Sequence, residues 1–423
     1  MQEATIARPS GGLPYRGWLV VIAGFVCAML TVGATVYSFT FFVPVLVEEF
    51  GLGYAQANIG IMALLLGMMV WSPLVGRLID RLPIRLMVAA GAVLFAAGFL
   101  MIATATSLKV MLIATVGPIS FGMIAAGALA ANAITARWFR RRRGLAIGII
   151  AVATSCGNAV MSPIAANAIE HFGWRAAVAG IGVGVSLIVG VLALLLMRDR
   201  PSEAQLIEGG EITPAMLDGS AAAPAAEPVW STRALLRERN FWLIMFGCGL
   251  ILASDQTLIQ TNAPYFRTKG ISLIDASWLV SVGGVSAVVG KLVAGWLADH
   301  VDVRRVFAVV ALFHVILLSL YMIWPGYWVM LGAFALIGLA VGGVYPVWTV
   351  LTANSFGSRS FGSALGAMAV GMQPLSIAAL YAVGRIRDQT GNYNLAFAGL
   401  LVMVVLAFIL VSLTRPGARV PKA

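Results

Sequence analysis

The chain reads as a succession of long apolar runs separated by short polar breaks. A helix needs about 20 apolar residues to cross the hydrocarbon of a bilayer. Runs of that length fall near 17–46, 55–79, 84–105, 109–135, 144–168 and 174–197, and again near 240–266, 275–297, 303–324, 327–353, 361–384 and 392–413. Strands of a membrane barrel would alternate apolar and polar residues over about ten positions. These runs are continuously apolar, so the pattern predicts an all-α membrane protein of twelve transmembrane helices. The longest polar stretch, 198–239, separates two sets of six. Its middle holds Gly209-Gly210 and the Ala/Pro-rich segment Ala221 to Pro228, a composition that predicts a flexible linker. The predicted organisation is a six-helix half over 1–197, a linker over 198–239 and a second six-helix half over 240–423.

The two halves repeat each other. Gly76-Arg77-Leu78-Ile79-Asp80 follows the second run, and Gly295-Trp296-Leu297-Ala298-Asp299 follows the eighth, 219 residues later. Phe139 and Phe356, Gly148 and Gly366, Gly173 and Gly391, and Gly180 and Gly399 recur at nearly the same offset. One offset at several separate breaks indicates two pseudo-symmetric halves in parallel arrangement.

Composition sharpens this picture. Of 423 residues, 60% are hydrophobic and only 11% charged, too little charge to cover a soluble protein of this size. The net charge of +11 would suggest nucleic acid in a soluble chain. Here its arginines and lysines sort by side of the membrane. Twenty-one fall at the termini, in the linker and in the breaks on the same side, and six fall on the other. The positive-inside rule then predicts cytoplasmic termini in a cell inner membrane. The run Arg140 to Arg143 reads as a lipid-headgroup contact, with no nucleic-acid role. Cys27, Cys156 and Cys248 all lie in apolar runs and read as buried, inert thiols. The N-terminal segment is polar to Arg16, and the apolar run after it is too long for a signal peptide. The chain shows no nucleophile–base pair, metal cluster or phosphate-binding loop, so neither an enzyme nor a bound metal or cofactor is expected.

Gly76-x-Leu78-x-Asp80-Arg81-x-x-x-Arg85 resembles the loop signature of the major facilitator superfamily between its second and third helices. Gly295-x-Leu297-x-Asp299-x-x-x-x-Arg304-Arg305 is similar to the second copy. The first copy departs from the pattern at Pro83 and Leu86. The resemblance implies alternating access and a gating role for Gly76, Asp80, Arg81, Arg85, Gly295, Asp299 and Arg304. Glycine permits close helix approach, and the acidic and basic side chains form a latch made in one conformation and broken in the other. A narrower resemblance is carried by Arg16-Gly17-Trp18, Tyr37-Ser38-Phe39, Trp138-Phe139 with Arg143-Gly144-Leu145-Ala146-x-Gly148, Gly290-Lys291-x-x-x-Gly295 and Asp388-x-Thr390-Gly391-x-Tyr393. Together these resemble the bacterial branch of the monocarboxylate transporter and oxalate–formate antiporter group. In that group a basic residue at the position of Lys291 pairs with the substrate carboxylate. Departures are Ala287 where many members carry a carboxylate, Val36 and Tyr37 where many carry a lysine, and a lysine-free eleventh helix whose notable polar residue is Gln373. Exchange of a dicarboxylate between two cationic clamps is therefore disfavoured.

Two charges remain at membrane depth, Asp255 and Lys291. Each costs about 2.5–3.5 kcal/mol on insertion scales, so each is expected to face a wet cavity or a partner. At 1.5 Å per residue they differ by roughly 10 Å in depth, so direct contact is not expected to be assured. Lys291 is the candidate for the substrate anion, with snorkelling to the headgroups as its bland alternative. Asp255 is the candidate for proton coupling, with a hydrogen-bonded helix kink near Pro264 as its alternative. Asp255, Gln256, Gln260 and Asn262 fall on one broad helical face, a candidate cavity wall. Tyr37, Asn132, Asn158, Tyr345, Trp348 and Gln373 complete the candidate binding set. His314 reads as structural, and the glycine pairs Gly144/Gly148 and Gly362/Gly366 as close-packing sites.

The expected function is a secondary transporter of a small organic anion, a monocarboxylate moved with a proton, embedded in lipid and functional as a monomer. Two alternatives stand beside it: a proton-exchanging exporter of apolar or cationic compounds, and a non-transporting receptor of the same fold.

Overall fold

The computed structural model describes residues 15–139, 142–199, 201–211 and 230–415. Twelve helices are long and apolar enough to cross a membrane. Spans one to six are Arg16–Phe50, Tyr54–Ile79, Ile84–Ala103, Leu108–Trp138, Leu145–Phe172 and Trp174–Leu196. Spans seven to twelve are Arg239–Thr268, Leu273–Ala294, Val303–Ile323, Tyr327–Gly357, Ser363–Thr390 and Asn394–Ser412. These match the twelve apolar runs to within a few residues. The two ends of the described chain lie on one face, called here the terminal face; the opposite one is the far face.

Two segments depart from the expected breaks. Spans ten and eleven form one helical run, Tyr327–Thr390, interrupted at Gly357, where φ is 74°. That left-handed backbone is open to glycine at little cost, so a single residue replaces a loop. Both ends of the expected flexible linker are helical, over Glu203–Glu208 and Thr232–Arg237. Ser202 and Gln205 cap the first of these reciprocally, and Ser231 caps the second. The middle of the expected linker, 212–229, lies outside the described residues.

Several spans are locally broken, and each break frees a backbone carbonyl. Span one contains a π-helical turn, Gly33–Tyr37, and span four another, Thr115–Ile119. Proline lacks the N–H that would bond the carbonyl four residues earlier, so Pro163 and Pro264 free the carbonyls of Ala159 and Gln260. In hydrocarbon such a group needs a partner, and at these four breaks one comes from another helix. Gln260 Nε2 donates to the Val36 carbonyl at 2.8 Å, and Trp71 Nε1 to that of Val116 at 2.7 Å. Thr40 Oγ1 donates to the Gln260 carbonyl at 3.1 Å and accepts from Ala263 N at 3.2 Å. Ser281 Oγ donates to the Ala159 carbonyl at 2.9 Å. Three of these four breaks are thus served by a side chain from the opposite half.

Glycine allows the halves to meet this closely. A Cβ on Gly284 of span eight would stand 2.8 Å from Ala159 N of span five. One on Gly384 of span eleven would stand 2.5 Å from Ala55 Cα of span two. The glycines singled out from spacing behave differently. A Cβ at Gly148 or Gly366 would meet nothing within 4 Å, so these are not close-packing sites in this conformation.

The far face is closed by a polar cluster across the halves. Asp388 of span eleven accepts from the free backbone N–H groups that open span two, Tyr54 at 2.8 Å and Ala55 at 3.0 Å. A carboxylate at a helix N-terminus satisfies orphan donors and the helix dipole together. Arg387 lies over the rings of Tyr54 and Tyr393, and Arg267 pairs with Glu48 at 3.1 Å. On the terminal face the described hydrogen bonds stay within one half or run to the connecting segment. Arg137 donates to the Ile79 carbonyl, Trp138 to that of Arg198, and Arg304 to that of Thr414. The molecule is therefore pinned shut at the far face.

Asp302 caps span nine through Arg304 N at 3.0 Å and pairs with the Arg304 guanidinium at 2.6 Å. Those Arg304 bonds hold its carboxyl down at about 2. A lowered carboxyl stabilises above its unfolded value of about 4 and loses that contribution as pH falls through the folded value. Asp302→Ala is expected to lower the melting temperature at pH 7, and a variant that melts with the wild type would remove the cap from this account. Asp388→Ala is expected to loosen the far face. With a cap worth about 0.5–2 kcal/mol, Leu258→Cys, on the wall of the cavity between the halves, should in a cysteine-free background label roughly 2- to 30-fold faster with an impermeant thiol reagent added from that side of oriented vesicles. Unchanged labelling would show that Asp388 does not hold the closed state.

Candidate functional site

Between the halves lies a cavity of about 470 Å³. It brings together Tyr37 of span one, Asn132 of span four, Asn158 of span five, Asp255 and Gln256 of span seven, Lys291 of span eight and Tyr345 of span ten. These are seven of the ten binding residues expected from sequence. Thr154, Ser155, Asn262 and Tyr321 add further polar groups to its wall. Asn132 Oδ1 and Gln256 Nε2 are enclosed and have no protein partner, which leaves an acceptor and a donor available to a bound molecule.

Lys291 does not snorkel. Its ammonium turns across the cavity to span five of the opposite half, where Nζ donates to the Ala151 carbonyl and to Thr154 Oγ1, both at 2.7 Å. Both acceptors are neutral. The charge is solvated by dipoles and cancelled by no described carboxylate, an arrangement that leaves it free to exchange them for an anion.

Asp255 does not serve the kink at Pro264; Thr40 does that. The carboxylate, 7% exposed, instead meets His314 of span nine, with Oδ1 2.6 Å from Nε2. His314 is wholly buried, and its Nδ1 lies 2.7 Å from the Val310 carbonyl. His314, read from the sequence as structural, is thus in direct contact with a candidate site residue. The one signal available was a buried-span histidine, since the 59 residues between the partners hide their proximity.

Three predicted binding residues do not line the cavity. Gln260 is fully buried and turned to span one, because the π turn there leaves the Val36 carbonyl unserved. Trp348 is 5% exposed and packs edge-on against Tyr345, and Gln373 also stands apart. The gating residues lie away from the cavity, on the terminal face. A Cβ at Gly76 would meet nothing within 4 Å, so the close approach expected there is not made in this conformation. Arg81 is exposed, and Arg85 N donates to Asp199 at 3.2 Å. Arg304 is engaged with Asp302 and the Thr414 carbonyl. The side chains of Asp80 and Asp299, and the environment of Gly295, lie outside the described residues. A second recess of about 90 Å³, against Phe39, Phe42, Leu64, Phe99 and Trp174, is almost wholly apolar and has no charge with which to select an ion.

Known proteins agree with this architecture. Residues 24–269 and 245–423 match the Major Facilitator Superfamily profile, so both halves are covered. The chain is 25% identical to the uncharacterized MFS-type transporter YcxA of Bacillus subtilis, over 94% of this chain and 95% of that protein. It is 28% identical to monocarboxylate transporter 11 of Homo sapiens, over 96% of this chain and 84% of that one. In three dimensions it resembles a bacterial homolog of the human lysosomal transporter Spinster, solved in an inward-facing and unoccupied conformation. The TM-score is 0.69 at 15% identity, covering 95% of this chain and 96% of the other. Two broken six-helix halves around a shared polar cavity, matched by the family profile from residue 24 to 423, make this chain a transporter of the major facilitator superfamily.

Proposed function

We propose that the protein moves a small organic monocarboxylate together with one proton by alternating access. Lys291 carries this reading. It is a cation at membrane depth, on the cavity, held by two neutral acceptors that a substrate carboxylate can replace. The likeness to monocarboxylate transporters supports the same substrate class. Substrate binding at Lys291 also acts on the conformational equilibrium, because the bonds it displaces join span eight to span five across the halves. A ligand shifts such an equilibrium by the difference in its affinity for the two states.

Charge balance supports the coupling. A substrate carboxylate cancels Lys291, and a proton at Asp255 cancels the second buried charge. With neither bound, Lys291 and ionised Asp255 cancel each other. With only one bound, a net unit charge must pass through the closed cavity, at a cost of several kcal/mol. Full and empty carriers cross; half-loaded carriers do not. On this reading the terminal face is cytoplasmic and the described state faces inward, in a bacterial-type inner membrane. The gating loops at Asp80 to Arg85 and Asp299 to Arg304 close that face in the alternate state. The units that rock are 1–197 and 240–423, joined by 198–239, and a single copy suffices.

Lys291→Ala is expected to weaken carboxylate binding roughly 10- to 100-fold, the loss of one charge-assisted contact. Lys291→Arg should recover part of it. Thermal-shift titration of purified protein with lactate, pyruvate and other small carboxylates reads both. If Lys291→Ala binds or transports a carboxylate as the wild type does, the anion site is elsewhere. Asp255→Asn in proteoliposomes should abolish accumulation driven by a pH gradient while sparing substrate exchange. Accumulation that survives would remove Asp255 from the coupling.

A further inference from the structure

We infer that the proton is held between Asp255 and His314, so that His314 of span nine is a positioning residue of the coupling site. This deepens the proton-coupled reading above and rests on it for its transport consequence, though not for the chemistry of the pair.

The geometry fixes the proton count. A carbonyl oxygen only accepts, so the His314 nitrogen facing Val310 O carries its hydrogen. That leaves Nε2 to face Asp255 Oδ1 at 2.6 Å. The contact then needs one proton, on Nε2 as an imidazolium beside a carboxylate, or on the carboxyl group donating to Nε2. Both forms are net neutral. Without that proton, the Nε2 lone pair faces a carboxylate, and the contact has no attractive form. The other tautomer would restore it only by breaking the bond to Val310. One proton therefore decides whether spans seven and nine are joined at this point.

The surroundings leave this pair in control of its own site. The other titratable side chains on the cavity are Tyr37 of span one, Lys291 of span eight, Tyr321 of span nine and Tyr345 of span ten. Tyr321 is engaged by Asn262, and Lys291 is turned to span five. Span seven also carries Cys248, buried about two turns below. Span eight carries Asp275 and span ten Tyr327, both near the far face. Span twelve, packed against span nine, has no titratable residue between Asn394 and Ser412. Asp255 reaches the cavity wall and His314 stands behind it, wholly buried. A proton thus enters at the carboxylate, is shared with the imidazole, and leaves by the same cavity, with no other bond made or broken.

The pair can be read without any substrate. His314 is one of three histidines, and His171→Gln with His300→Gln leaves it alone. Nitrogen-15 NMR of the labelled imidazole across pH should show Nδ1 protonated throughout and a single step at Nε2. Asp255→Asn should remove that step or displace it by about one pH unit or more. An unprotonated Nδ1, or a step indifferent to Asp255→Asn, would overturn the pair. In proteoliposomes, His314→Gln should keep substrate exchange while losing most of the accumulation driven by a pH gradient. His314→Gln accumulating like the wild type would overturn its role in coupling. If Lys291→Ala leaves carboxylate binding intact while the NMR step responds to Asp255, the substrate reading fails and the pair stands.

Discussion

A carbonyl released from a helix inside hydrocarbon must be bonded by something, and this molecule is organised around that requirement. A regular twelve-helix bundle would satisfy each backbone group within its own helix and would have little reason to hold its halves in register. Here a π turn in span one and prolines in spans five and seven release carbonyls at the seam between the halves. Gln260, Ser281 and Thr40 cross the seam to meet them. Each tie is a side chain on a backbone acceptor, worth about 1 kcal/mol net. Such ties are strong enough to define a closed far face together and weak enough to be exchanged during a transport cycle.

The cavity extends the same logic to charge. Lys291 reaches across the seam to a carbonyl and a hydroxyl, so an empty site holds its cation in a bond that also joins the halves. A ligand that takes over the ammonium therefore does two things at once. On the proposed reading it is recognised, and it displaces a contact that joins the halves. Asp255 faces the other way, toward the interior of its own half, where His314 receives it. The two buried charges thus report to different interfaces: one between the halves, one within the second half.

Much of this was legible in the sequence. Apolar runs give the twelve spans directly, and a recurring offset gives the two halves. Lys291 and Asp255 stand out because a charge in an apolar run is costly and needs a partner or a wet cavity. What periodicity does not carry is where a helix breaks register. The face drawn through Asp255, Gln256, Gln260 and Asn262 assumes 100° per residue and an unbroken neighbour. The π turn at Gly33–Tyr37 redirected Gln260 away from that wall. His314 was hidden for another reason: histidine is neutral at ordinary pH, raises no alarm in a hydropathy profile, and is far from Asp255 in the chain. Glycine spacing misled for Gly148 and Gly366, because spacing gives a face and not the neighbour standing opposite it.

The single-residue junction at Gly357 joins spans ten and eleven without an intervening loop. Tyr345 sits on the cavity along one arm, about 18 Å from that joint, and Asp388 bonds the opening of span two near the end of the other arm. The arm from Gly357 to Asp388 is about 46 Å long at 1.5 Å per residue. A swing of about 10° at the glycine sweeps its tip through roughly 8 Å by that length, more than twice the reach of a hydrogen bond. A rotation of that size at the glycine would by itself be enough to part the Asp388 clasp at the other end of the helix.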